Sequence, residues 1–503
     1  MNTPAWIPRR VAGLLSERKN PQKQAKPIVK QSPVATEKIV ETAVPVRTTA
    51  ERLAATLRQT GEALSPRQLR RLHDDLRAII DPTVSEVEGG RRARTLVDWY
   101  TQAPAEQRQD LWRLMSEQFM ADPETVRAAQ AQYTAAVGTP DEAAAEVLVR
   151  RATVSPRRRL LQRFSVNPDG IRFLVDLRAE MQAALKGERR LYALDVEMEY
   201  MFSTWFDVGF LELHRISWDS PASLVEKLIR YEAVHDIRSW DDVKNRLDSD
   251  RRCYGFFHPR LPGEPLIFVE VAFTPDIADS ITPLLDEKGA PADLQRARTA
   301  IFYSISNTQP GLKGVSFGDS LIKRVVETLQ AELPRLRTFA TLSPIPGLRS
   351  WLGRQAATLL EWTPPRERDE LARALGPEPL TPVSLLAALD RAAAGDSDGA
   401  VARWLQRCAA QYLAQARVQG RPADAVARFH LGNGARIERI NWAADPSPKG
   451  MRQSWGVMVN YLYDLPRLDR NRAALARGKA AASATIAGLC LREISPETTG
   501  DKP

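Results

Sequence analysis

The sequence predicts an α+β protein: an all-helical N-terminal region, then a mixed α/β domain that carries a helical insertion. Two observations lead there. From Ala50 to about Gly187, apolar residues recur at helical spacing and prolines separate the segments. Beyond Gly187, short apolar runs alternate with glycine-bearing turns, and helical composition returns over residues 353–425. The expected division is a disordered basic tail over 1–48, a helical domain over 49–190, a mixed domain over 191–492 with its insertion, and a tail over 493–503.

Each element has its own signal. Residues 1–48 are rich in Pro, Lys, Arg, Gln and Thr and hold too few apolar residues to pack. Leu53 and Leu57, then Leu69, Leu72 and Leu76, then Leu111, Leu114 and Met115 mark successive helices. Ile171 to Leu185 is the last strong apolar face of this region, and Arg157-Arg158-Arg159 reads as a solvated helix start. The aromatic stretch from Tyr200 to Leu211 reads as a seam between domains. Ser220-Pro221 opens a helix, Ser239 to Asp242 caps another, and Arg252–His258 and Leu266–Thr274 read as paired strands.

The centre of the mixed domain is Ile301 to Gly347. A short strand (Ile301–Ile305) meets the turn Gln309-Pro310-Gly311-Leu312-Lys313-Gly314. A helix with Leu321, Ile322, Val325, Val326 and Leu329 on one face follows, then a strand from Thr338 to Leu342 that ends at Ser343-Pro344. Strand, glycine turn, helix start is how a chain offers free N–H groups to an anion. The Walker and dinucleotide patterns are absent. What remains, Gln-x-Gly-x-x-Gly, is similar to the pyrophosphate loop of acyl-CoA acetyltransferases. Further on, Gly432-Asn433-Gly434 between Val426–Leu431 and Ala435–Trp442 reads as a hairpin. Val457–Leu462 reads as a strand and Arg472–Leu491 as a closing helix.

Lys and Arg number 71 against 62 Asp and Glu, a net charge of +9 that suits an anionic ligand. Nucleic acid is disfavoured, since no helix concentrates basic residues with interleaved aromatics. No apolar run reaches the roughly 20 residues of a membrane span. Cys253, Cys408 and Cys490 are far apart with no C-x-x-C, and the five histidines are scattered, so no metal site is expected.

The blocks IFYSIS, QPGLKGV, LIKRVV, TLSPIPG, FHLGNGA, RINWAAD and VNY resemble the malonyl-CoA decarboxylase family, in that family's order, from about residue 50 to 490. The resemblance implies an acetyltransferase-like (GNAT) catalytic domain behind a helical one. It implies Ser343 and His430 as the catalytic pair, and a CoA loop at Lys313, Gly314, Val315, Ser316, Phe317, Gly318 and Asp319. Ser316 departs from the acidic residue of mammalian members. Gln309 and Gly311 of the turn, with Ser304, Asn460 and Tyr463, complete the expected malonyl-CoA contacts.

Malonyl-CoA to acetyl-CoA and carbon dioxide needs no separate cofactor, because the thioester carbonyl takes the electron pair. Backbone N–H groups near Ser304–Asn307 are the expected oxyanion donors. His430, with an ordinary imidazole near pH 6.5, is the expected proton carrier. An acyl-CoA N-acyltransferase and a non-enzymatic acyl-CoA sensor are the alternatives that the fold alone permits. The expected partners are malonyl-CoA and acetyl-CoA, and a second copy of the chain in a homo-oligomer (dimer or tetramer) formed through the helical domain. No membrane partner is expected. A bacterial cytoplasmic setting is favoured over a mitochondrial one, and Cys253, which matches a family cysteine, is expected to stay unbridged.

Overall fold

The computed structural model describes residues 47–315, 317, 321–392 and 399–491. The expected tails and three of the loop residues (Ser316, Gly318 and Asp319) therefore lie outside the described residues, apart from positions 47 and 48.

Helices α1 (Thr49–Ala54), α2 (Pro66–Ile80), α3 (Glu86–Gln102), α4 (Ala105–Glu117) and α5 (Pro123–Ala136) come first. Then follow α6 (Glu142–Thr153), α7 (Pro156–Ser165), α8 (Gly170–Gln182) and α9 (Tyr192–Trp205). Helix α2 shows the local logic. Ser65 and Gln68 form a reciprocal capping box, Pro66 opens the first turn, and Leu69, Leu72, Leu76 and Ile79 are buried at three-to-four spacing. The arginine triplet departs from expectation. Arg157 is buried and donates to the Ser116 carbonyl, while Arg158 pairs with Glu197 and lies over the Tyr200 ring.

The sheet strands are β1 (Glu212–Ile216), β2 (Arg251–Phe257), β3 (Pro265–Thr274), β4 (Thr299–Asn307), β5 (Thr338–Thr341) and the short β6 (Ser343–Pro344). Helices α10 (Ala222–Tyr231) and α11 (Trp240–Arg246) lie between β1 and β2, and α12 (Leu321–Glu332) crosses from β4 to β5. The insertion is helical as expected: α13 (Leu348–Trp362), α14 (Pro365–Leu375), α15 (Pro382–Ala392) and α16 (Ala400–Gln415). A two-stranded β7 (Arg417–Val418) and β8 (Arg421–Pro422) leads into α17 (Ala425–Gly432). Strand β9 (Arg436–Asn441), α18 (Pro448–Ser454), β10 (Met458–Leu462), α19 (Leu468–Ala476) and α20 (Ala484–Leu489) close the chain.

The sheet runs β1-β2-β3-β4-β5-β10, antiparallel except for the parallel β4–β5 pair. Strand β10 takes β5 and β6 along one edge in unbroken register and β9 along the other. The β4–β5 ladder ends at Phe302↔Thr341, with Leu342 N–H still reaching the Phe302 carbonyl. Strand β4 continues to Asn307 on β3 alone. The two parallel strands thus part at their C-terminal ends.

Two expectations fail here for one physical reason. Residues Val426–Leu431 are helical, and Gly432-Asn433-Gly434 is a helix stop rather than a hairpin turn. Asp424 caps the start by accepting from the N–H groups of Val426 and Ala427. At the end, Gly434 takes φ +86° and donates to the Leu431 carbonyl, while Ala435 donates to that of His430. That pair of bonds is a Schellman stop. The closing helix is also broken: Gly478 at φ +82° ends α19 the same way, through Lys479 to Ala474 and Gly478 to Leu475. A short extended piece beside Ile437 precedes α20.

One large core runs from Leu64 to Ile486 and draws on the N-terminal helices, one face of the sheet and the insertion. Residues from Thr48 onward form one compact unit. The opposite sheet face carries two smaller cores, one under the loop that joins β3 to β4, the other under α10 and α11. Among the described residues, no helix is long and apolar enough to cross a membrane.

Candidate active site

Strand alternation builds the site. Thr341 and Ser343 stand two residues apart and share a face. Val459 lies opposite Ser343 in the antiparallel register, which puts Tyr461 and Tyr463 on that same face. Helix α17 lies over them and brings in His430, buried to 3 % exposure.

The side chains form a connected line. Ser343 Oγ donates to Thr341 Oγ1 at 2.9 Å and lies 3.2 Å from His430 Nε2. The other ring nitrogen, Nδ1, is 2.7 Å from the Tyr463 hydroxyl. Tyr461 stacks on the imidazole at 4.6 Å between centroids, and its N–H donates to Thr341 Oγ1. With the serine proton given to Thr341, Nε2 must carry the ring proton, and Nδ1 then accepts from Tyr463.

Burial pushes the His430 pKa down to about 3, so the ring is neutral throughout the physiological range. The sequence-based expectation of an imidazole near pH 6.5 is therefore corrected. Burial also pushes both Tyr461 and Tyr463 well above the usual phenol range.

Asp424 ties the two halves together. One carboxylate oxygen caps α17, and the other lies 3.4 Å from the Gly347 N–H in the Ser-Pro-Ile-Pro-Gly segment. A Cβ on Gly347 would lie 2.2 Å from the Tyr412 hydroxyl, so any other residue there would have to displace that side chain. Thr341, Tyr461 and Asp424 were not among the expected site residues. The first two were available from the period of two, and the third from an acidic residue just before an apolar helical face.

The remaining expected residues fall into three groups. Asn460 points to the opposite sheet face from Tyr461 and Tyr463. Its amide donates to the Ala278 and Thr341 carbonyls and accepts from Asn441 and Arg439, so it fastens strands and a loop rather than lining the site. Ser304 is buried with its hydroxyl on the Glu232 carboxylate, which also accepts from Ser306 and from the N–H groups of Val234 and His235. The third group is the turn. Gln309 is buried and held by Arg172 and the Pro265 carbonyl. Gly311 is pressed against α8. Lys313 and Gly314 are exposed, Gly314 at φ +84°, while Val315 and Phe317 are buried. All three cysteines are free thiols. Among the described residues, no group of three or more His, Cys, Asp or Glu could hold a metal ion.

A buried hydroxyl–imidazole–phenol line beside the end of the β4–β5 ladder, on a mixed α+β domain, is an arrangement of groups that can pass a proton. The comparisons give the particular family. The malonyl-CoA decarboxylase C-terminal domain matches residues 209–499 and the corresponding N-terminal domain matches residues 119–206. The chain belongs to the malonyl-CoA decarboxylase family. It is 40% identical over 340 residues to the mitochondrial malonyl-CoA decarboxylase of Anser anser anser, covering 64% of this chain and 67% of that one. Against the rat protein of the same name the identity is 39% over 341 residues, covering 65% and 69%. Crystal structures of malonyl-CoA decarboxylase from Cupriavidus metallidurans (43% identity, TM-score 0.70) and Rhodopseudomonas palustris (40%, 0.71) each cover 84% of this chain. The match spans 100% and 99% of those chains respectively.

Proposed function

We propose that this protein cleaves malonyl-CoA to acetyl-CoA and carbon dioxide, with Ser343, His430 and Tyr463 handling the carboxylate and the proton. The observation that carries the reading is the hydrogen-bonded line from Thr341 through Ser343 and His430 to Tyr463, beside the parting of β4 and β5.

The C2–carboxylate bond breaks and its electron pair moves into the thioester carbonyl, so carbon dioxide leaves and an enolate forms. The thioester is the electron sink, and the chemistry requires no other. Main-chain N–H groups of β4 beyond Phe302 stand where the ladder to β5 has ended, and they are the proposed oxyanion donors. One such donor is typically worth about 2.7–4 kcal/mol of barrier. When malonyl-CoA is bound, Ser343 turns its hydroxyl proton from Thr341 to the departing carboxylate, in a buried site.

The enolate carbon then takes the proton on Nε2 while Nδ1 takes the hydroxyl proton of Tyr463; a solvent proton then reloads Nε2 as Nδ1 returns its proton to the Tyr463 oxygen, which restores the phenol and the starting tautomer. A neutral imidazole suffices, because a thioester enolate carbon is a much stronger base than imidazolate. The turn from Gln309 and the start of α12 hold the CoA diphosphate through backbone N–H groups. Helices α5 and α6 bury Ala129 and Ala145 but expose Val147 and Leu148, as well as Val137 just past the end of α5, which supports a homo-oligomer contact through the helical region.

The test is mass-spectrometric: malonyl-CoA incubated with the protein and no amine. Acetyl-CoA and carbon dioxide in equal amounts, abolished in His430→Ala, are the expected result. Intact malonyl-CoA, or acyl transfer that needs an added amine, overturns the reading.

A further inference from the structure

Helix α8, in the N-terminal helical region, touches the turn at three points spaced three residues apart on one face. Arg172 donates to Gln309 Oε1 at 2.7 Å. Val175 presents its carbonyl where Gly311 has no side chain, and a Cβ there would sit 1.9 Å from that oxygen. Arg178 reaches furthest. It is 1 % exposed, and Nη1 donates to the Gly311 carbonyl at 2.8 Å and to the Lys313 carbonyl at 3.0 Å. Its Nε donates to Asp195 at 2.8 Å and its Nη2 lies 3.4 Å from Glu199.

Two physical consequences follow. A guanidinium that spans two carbonyls two residues apart fixes the turn between them, because its donors are planar and rigid. Within the turn the N–H groups of Leu312, Lys313 and Val315 are already given to the Gln309, Pro310 and Leu312 carbonyls, which leaves the N–H of the exposed Gly314 for a ligand. The second consequence is electrostatic. A Cβ on Gly314 would lie 3.4 Å from a Glu199 carboxylate oxygen, so that carboxylate borders the turn. Arg178 offsets its charge and that of Asp195, which would otherwise oppose an anion.

We infer that helix α8 is the platform that sets the shape of the 309–314 turn, with Arg178 the positioning residue that makes acyl-CoA affinity depend on the helical region. The inference rests on the reading of that turn as part of the acyl-CoA grip. It assigns Gln309 and Gly311 a different task from the one expected of them: they face the platform, and the ligand meets the far side of the turn.

The experiment uses the full chain and two readouts, steady-state decarboxylation and calorimetric binding of free CoA. In Arg178→Met, KM for malonyl-CoA and the Kd for CoA rise roughly ten- to a hundredfold, while kcat stays within about threefold. Arg178→Lys keeps the charge but loses the Nε contact with Asp195 and the Nη2 contact with Glu199 that orient the group, so it recovers part of the affinity. Arg172→Ala, at a side chain that is 30% exposed, is the variant to use should Arg178→Met fail to fold, and it shows a smaller rise in both constants. Arg108→Ala removes a surface pair with Glu180 on the same helix and leaves both constants unchanged.

Unchanged KM and Kd in soluble, folded Arg178→Met and Arg172→Ala overturn the inference, as does a loss confined to kcat. A wild-type protein that binds CoA but releases no carbon dioxide sinks the proposed reaction only, and the Kd series still decides the platform. A wild-type protein that binds no CoA overturns the platform as well.

Discussion

The two ends of the proposed site are built in opposite ways. The Ser343–His430–Tyr463 end is internal to the sheet domain: β5, β6 and the end of β10, in fixed register, supply Thr341, Ser343 and Tyr463, and a capped two-turn helix supplies His430. The Gln309–Gly314 end takes its shape from outside, from a helix more than a hundred residues earlier in the chain. On the proposed reading, chemistry sits where register dictates geometry, and affinity sits where packing between regions does. Mutations at the first end should therefore act on kcat, and mutations at the second on KM.

The largest expected effect is at His430. His430→Ala removes the proton carrier and should lower kcat by about 10²–10⁴-fold, with KM within a few-fold of wild type, read by acetyl-CoA production. A comparable rise in KM would erase the contrast between the two ends. Tyr463→Phe deletes only the hydroxyl on Nδ1. The ring then lacks the partner that sets its tautomer, and kcat should fall about tenfold or more, with KM again preserved. Full activity in this variant would remove Tyr463 from the proton line.

The contrast can be sharpened with pH. An exposed histidine would give kcat a limb near pH 6.5, but His430 is held neutral by burial down to about pH 3. Turnover measured at saturating substrate should therefore be level from pH 6 to 8. The stability consequence has a definite sign. The unfolded chain takes up a proton near pH 6.5 and the native site only near pH 3, so this contribution is complete above pH 6.5. It is lost as pH falls toward 3, at about 1.4 kcal/mol per unit. His73, His235 and His258 are shifted the same way by burial, so the His430 share must be isolated. The pH dependence of Tm in His430→Gln should be shallower than in wild type, and an equal slope would show that the buried ring is not what titrates.

Where the sequence was legible, periodicity carried it. The helical region, the strand–turn–helix centre and the helical insertion all follow from spacing, and the family resemblance brought Ser343 and His430 together across 87 residues. Where it misled, one local signal outweighed another. Gly432-Asn433-Gly434 is a good hairpin turn in isolation, but Asp424 caps the preceding residues as a helix and Gly434 ends it. Asn460 and Tyr463 were both expected at the ligand. They stand three residues apart at the end of a strand, so alternation alone puts them on opposite faces. Ser304 could not be resolved from sequence, because Glu232 comes from a separate helix end. The α8 brace on the turn was equally hidden. No local pattern marks Arg178 as buried.

Asn460 offers the smallest effect and the cleanest control, since it adjoins the site without facing it. Its amide is buried and makes four hydrogen bonds, to two carbonyls and two side chains. Asn460→Ala strands those partners and should cost about 1–3 kcal/mol of stability, seen as a lower denaturation midpoint. The Thr341 carbonyl is among them, but the Thr341 hydroxyl that meets Ser343 is held separately by the Tyr461 N–H. The folded fraction should therefore keep KM and lose no more than a few-fold in kcat. A loss of kcat as large as that of Tyr463→Phe, at unchanged stability, would mean that the reverse face of β10 takes part in the chemistry. The division between a reacting face and a fastening face would then have to be redrawn.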